Sequence, residues 1–118
     1  MNYTPEEIQE ALRVISAAVL NCQKQQVRFK SGTPQHSLLR NRVKALQIAA
    51  ALLRADGTAA RYTAADLEQA VEPLSSIIRK TAAAQAKYSP DTPQYKRFQP
   101  TITAMDIGRA AVEHAQEK

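Results

Sequence analysis

There is no tryptophan in this chain, a single cysteine and only three glycines among 118 residues. One cysteine, Cys22, excludes an intrachain disulfide and any cysteine-cluster metal site. Gly-rich phosphate loops are absent. No apolar run approaches the ~18–20 residues of a membrane span. The start Met1-Asn2-Tyr3-Thr4-Pro5-Glu6-Glu7 lacks the basic-then-apolar order of a secretion signal. These absences lead to the expectation of a cytoplasmic protein. The two histidines, His36 and His114, stand without Cys, Asp or Glu partners at metal-ligand spacing. A Glu-x-x-His pattern of di-iron bundles is missing as well. Cys22 falls on an apolar seam, where a thiol is expected to be buried and inert. The sequence therefore leads to the expectation of no enzyme, no cofactor and no metal.

One further absence concerns charge. Between Glu10 and Asp56 there is no acidic residue. Residues 1–54 carry Arg13, Lys24, Arg28, Lys30, Arg40, Arg42, Lys44 and Arg54 against Glu6, Glu7 and Glu10, a net of 8 − 3 = +5. Residues 55–118 hold eight bases and eight acids, so the whole net charge of +5 sits in the first half. A solvated surface mixes both signs, so a basic stretch without acids implies an anionic partner through its local field.

What the chain has in abundance is Ala, Leu, Gln, Lys and Arg, the best helix formers. It also repeats. At an offset of 59, residues 3–54 align with 62–113 without a gap, and 11 of 52 pairs are identical. Tyr3-Thr4 falls on Tyr62-Thr63, and Thr33-Pro34-Gln35 on Thr92-Pro93-Gln94. Thr4-Pro5-Glu6-Glu7 reads as a capped helix start with a capping box. The seam Ile8, Leu12, Ile15, Val19, Cys22, Gln26, Phe29 steps by 4 and 3, as a packed helix does. This predicts a first helix ending near Lys30, with Ser31-Gly32 as its breaker. Thr33-Pro34 opens a second helix with the seam Leu39, Val43, Leu46, Ala50 and Leu53, stopped by Asp56-Gly57.

The second copy follows the same scheme from Thr63 and Thr92. It differs at Pro73 and Pro100, where bends or short breaks are expected, and at Arg109, a cation on the seam that is expected to snorkel at a helix end rather than to face a polar cavity. The fold expected is all-α. A single domain, 1–118, consists of two helical hairpins, 3–54 and 62–113, with linker 55–61, forming an up-down four-helix bundle. The short connection favours that order, because the eight residues from Ala55 to Tyr62 span at most ~29 Å when extended.

In that order both Thr-Pro-Gln turns emerge at one end of the bundle, which makes this end the candidate ligand site. Helix N-termini attract phosphate and carboxylate. Arg28, Lys30, Arg40 and Lys44 are the expected phosphate partners, with Thr33, Gln35 and His36 as donors at the helix start. The second copy offers Lys87, Thr92, Gln94 and Arg97, with Tyr88 and Tyr95 as rings on which a base could stack. The function expected is non-enzymatic sequestration of a small anionic, nucleotide-derived ligand. Two alternatives stand beside it: a helical interaction module or inhibitor facing an acidic protein surface, and a nucleic-acid-binding protein. No membrane partner is expected, and the oligomeric state expected is a monomer or weak homodimer.

The stretch Gly32-Thr33-Pro34-Gln35-His36-Ser37-Leu38-Leu39-Arg40-Asn41-Arg42-Val43-Lys44-Ala45-Leu46 also carries a resemblance. With its surroundings over residues 3–54, it resembles a group of short, mostly uncharacterised helical proteins from anaerobic gut bacteria, their phages and mobile elements. Residues 62–113 are a more diverged copy. A His or Arg at a helix start followed by a Leu-rich, Lys-containing helix is similar to the small helical phage sponges that bind cyclic nucleotide immune signals. That similarity implies a counter-defence role in a host cytoplasm.

Overall fold

The computed structural model describes residues 2–118. Four α-helices follow one another: α1 (Pro5–Gln26), α2 (Pro34–Arg54), α3 (Ala64–Gln85) and α4 (Pro93–Gln116). A short 3-10 turn, Thr58–Arg61, lies between α2 and α3. Each helix starts where a threonine side chain accepts a hydrogen bond from a backbone N–H of the first turn: Thr4 from Glu7, Thr33 from His36, Thr63 from Asp66 and Thr92 from Tyr95. Thr4 and Thr63 complete full capping boxes with Glu7 and Asp66.

The helix packing is that of a bundle. α1 runs against α2 and α3 against α4, and the two pairs join through α1–α4, α2–α3 and α2–α4 contacts. α1 and α3 do not pack on each other. The molecule is flat, 42 × 40 × 20 Å, with a radius of gyration of 14.5 Å. A compact domain of this length would have about 13.5 Å, so the helix pairs do not lie fully side by side.

Burial is uneven along every helix. α1 and α3 bury Ala11, Ile15, Ala70 and Leu74 in their first halves. α2 and α4 bury Ala45, Leu46, Ile48, Ala49, Leu53, Ala104, Met105, Ile107, Ala111 and Val112 in their second halves. Near the 26–34 and 85–93 turns, Leu39 and Gln85 are the buried residues. The C-terminal half of α2 is apolar on more than one stripe because three helices close on it, and its alanines let them approach. Where α4 crosses α2, Gly108 lies against Ala49: a Cβ on Gly108 would stand 3.2 Å from the Ala49 Cβ and 3.3 Å from Ile15 Cδ1.

Two sequence expectations need correction. α1 ends at Gln26 and not near Lys30. Beyond it the Arg28 and Phe29 N–H groups bond back three residues, to Gln25 and Gln26, which tightens the chain out of the helix. Phe29 is thereby exposed, and Tyr88 after α3 follows the same course. Pro73 and Pro100 do not break their helices: α3 and α4 continue through both. The carbonyls deprived of a donor belong to Gln69 and Lys96, exposed residues lining the same surface grooves as the two prolines, where solvent can serve them. Arg109 leaves the α4 seam for polar surroundings. It is half-exposed, donates to Ser75 of α3 and pairs with Asp106 and Glu113 along α4.

The segment joining α2 to α3 is built rather than slack. Ala55 takes a left-handed conformation (φ 53°) and Gly57 another (φ 89°). The Asp56 carboxylate accepts from the Thr58 N–H and hydroxyl.

Candidate ligand site

Both Thr-Pro-Gln turns have one local geometry. The Thr33 hydroxyl donates to the Lys30 carbonyl (2.8 Å) and accepts from the His36 N–H (3.2 Å). The Thr92 hydroxyl donates to Ser89 (2.7 Å) and accepts from Tyr95 (3.3 Å). The next amides, of Ser37 and Lys96, bond to the carbonyls of Thr33 and Thr92. Pro34 and Pro93 have no N–H. The first turn of each helix therefore leaves the Gln35 or Gln94 N–H as its remaining donor, which narrows the anion-binding role expected of Thr33, Gln35 and His36.

Behind each turn lies a polar contact between the two helices it joins. Gln85 is buried and donates to the Tyr95 carbonyl and to Gln99 Oε1, both at 3.1 Å. Its counterpart Gln26 meets His36 Nε2 at 3.4 Å, while His36 Nδ1 is shielded and has no partner among the described residues. Tyr88 stacks on Phe98, ring centroids 6.0 Å apart.

The expected site residues separate into groups. Arg28, Lys30, Gln35, Arg40, Lys87, Gln94 and Arg97 are exposed, and Thr33, His36, Thr92 and Tyr95 are half-buried. Lys44 is drawn away: its ammonium lies 2.9 Å from the Asp66 carboxylate at the start of α3. Among the described residues, no hydrogen bond or ion pair links the first turn to the second. The Thr63 N–H, and then the Lys44 ammonium, hold the Asp66 carboxyl down to about 2. A depressed carboxyl stabilises the fold fully above its unfolded pKa of about 3.9 and stops doing so as pH falls through 2. Asp66→Asn is therefore expected to lower the melting temperature at pH 7 and to flatten its decline between about pH 4 and pH 2. Melts across a pH series would check it, and an unchanged acid slope would refute it.

The sequence reading passed over a different group of residues. Where α1 crosses α4, a crevice of about 500 Å³ opens, lined by Arg13, Asn21, Cys22, Gln25, Arg42 and Thr101 above a floor that includes Ile77 and Met105. It has no acidic lining residue. Arg13 is paired with Glu10 on its own helix. Arg42 has only a long contact, 3.5 Å, to the Ser76 hydroxyl, and its shielded Nε has no partner among the described residues. An unpaired buried donor costs about 1–3 kcal/mol, more when charged. Burial pushes the Cys22 thiol up, with the Arg42 charge acting weakly the other way. The thiol, expected from its seam position to be buried, is half-buried. The acid-free span that contains Arg42 was the one sequence signal for this crevice.

Among the described residues, no cluster of His, Cys, Asp or Glu could hold a metal. Nor is any helix long and apolar enough to cross a membrane. Comparison with protein families, with curated proteins and with solved structures finds no match to this chain.

Proposed function

We propose that this protein binds and sequesters a small anionic, nucleotide-derived ligand without transforming it, as a counter-defence sponge does. The observation that carries the reading is the uncompensated charge of the first half. Lys24, Arg28, Lys30, Arg40 and Arg54 are all exposed and form no ion pair among the described residues. Their field favours an anion and raises its rate of arrival. Calorimetry against mononucleotides and cyclic dinucleotides is expected to give a dissociation constant below millimolar, weakened several-fold by Arg40→Glu. Absence of binding across the panel, or indifference to Arg40→Glu, would overturn it.

The proposal includes the scaffold: two copies of one helical hairpin in up-down-up-down order, related by a rough two-fold axis between Ala49 and Gly108. Three features support this. Pro5 and Ala64, Gln26 and Gln85, and Pro34 and Pro93 bound their helices at the same 59-residue offset. The threonine caps recur in register. Ala49 and Gly108, equivalent in the two copies, face each other at the α2–α4 crossing.

A second reading has its own observation. Leu20 (61% exposed), Val27 (85%) and Leu38 (42%) lie open in the basic half. They favour an interaction module for an acidic protein surface with apolar content. A stoichiometric protein partner in a pull-down, with no small molecule co-purifying, would select it over the first.

A further inference from the structure

We infer that the crevice between α1 and α4 is an oxyanion site, with Arg42 as its recognition residue. It would take the phosphate or carboxylate group of a small organic anion. The inference rests on the reading of the protein as an anion binder and names where the anion sits. The turns are poorer places for it, because their caps and short-range bonds already use most of the helix-start donors.

Four observations converge on the crevice. Its volume, about 500 Å³, lies within the ~300–1,000 Å³ of small-molecule sites. Its lining carries two guanidinium groups, two amides and a hydroxyl, with no carboxylate to compete for the ligand. The charge of Arg13 is met by Glu10, whereas that of Arg42 is met by no carboxylate among the described residues. The Arg42 Nε is shielded and unpartnered, which leaves the two Nη groups, with a single long contact to Ser76 among the described residues, as the fork for two oxygens of a carboxylate or phosphate.

Position in the repeat adds to this. Arg42 and Thr101 are equivalent residues at the 59-residue offset, and both line this one crevice. The two copies thus contribute unlike groups at equivalent positions, a cation from one and a hydroxyl from the other. Asn21 and Gln25 supply further donors from α1, and Ile77 and Met105 an apolar surface for the body of the ligand.

The test is an NMR titration of the isotope-labelled full chain with AMP and, separately, with inorganic phosphate. AMP is expected to shift the Arg42 Nε–Hε resonance saturably, and phosphate to shift the same resonance at higher concentration. Arg42→Leu is expected to weaken AMP at least tenfold. Ala17→Phe, a substitution at an exposed residue on the crevice rim, should do the same by filling it, with helical content unchanged. Lys80→Ala, at an exposed lysine of α3 outside the crevice, is expected to change affinity less than twofold. Saturable AMP binding that survives both Arg42→Leu and Ala17→Phe overturns the crevice and leaves the anion-binding function standing. No saturable shift with AMP, phosphate or a cyclic dinucleotide overturns both.

Discussion

Leu46→Ala is expected to destabilise the protein by about 3 kcal/mol, within the ~2–5 kcal/mol seen when buried leucines are truncated. Leu46 has no solvent exposure and belongs to the one cluster in which all four helices meet. Truncation there leaves a cavity that α1, α3 and α4 would all have to move to close, so collapse is resisted and the loss falls in the middle of the range. A small domain has only about 5–15 kcal/mol in total, and at roughly 4 °C per kcal/mol for this size the melting temperature drops by about 12 °C. Leu20→Ala is the control. That side chain is 61% exposed, and its loss should stay within about 0.5 kcal/mol. Urea and thermal unfolding would measure both, and a loss at Leu46 below about 1 kcal/mol would contradict the central role given to this cluster.

Gly108→Val is the second large effect, expected to cost about 2–3 kcal/mol through overpacking. Gly108 is in the interior of a helix, where alanine would be favoured by about 1 kcal/mol on propensity alone. Its position is explained by the approach of α4 to α2 and α1. A first added carbon would already stand at 3.2 and 3.3 Å from the Ala49 methyl and Ile15 Cδ1, so these neighbours would have to yield slightly. For Gly108→Ala, propensity and crowding oppose each other, and the net change should lie within about 1 kcal/mol of zero. Valine adds two more methyl groups, which must enter the same contact. Because the strain lies in the Ala49–Gly108 contact, Ala49→Gly should recover part of the loss in the Gly108→Val background, a non-additive result. Strict additivity in unfolding measurements would show that the cost arises elsewhere.

Much of the helical plan was legible because its signals are local. Thr4, Thr33, Thr63 and Thr92 cap by reaching three residues ahead, and Pro5, Pro34 and Pro93 fit the first turn regardless of the rest of the fold. Leu39, Leu46 and Leu53 are buried as the α2 seam required. The ends of α1 and α3 were harder to see, because Gln26 and Gln85 have no glycine immediately after them. Phe29 and Tyr88 also keep the seam spacing beyond the last helical turn. The spacing of apolar residues measures where a helix would face if it continued, and not whether it does. That Pro73 and Pro100 leave their helices unbroken was hidden for a related reason: whether a missing hydrogen bond is tolerable depends on the solvent access of Gln69 and Lys96, a tertiary property.

The candidate site was less legible than the fold. Exposure of Arg28 and Lys30 follows from their position at a turn, but the ion pair from Lys44 to Asp66 depends on how α2 crosses α3. Arg42 stood in the sequence as one cation among eight in the first half. Its distinction, a shielded Nε beside residues of the second copy, exists only once the helix pairs cross.

The uneven burial along the helices has a consequence for how such a chain can change. Cohesion is concentrated where the ends of α2 and α4 meet the beginnings of α1 and α3. The turn-bearing halves contribute little to it, so their exposed residues can be exchanged at small thermodynamic cost. A lineage of this protein could therefore alter its charge and its contacts at the turns almost freely, while truncation of Leu46 or a bulky residue at Gly108 draws heavily on a small stability. Stability is conservative in the shared core, and novelty is cheap in the turn-bearing halves.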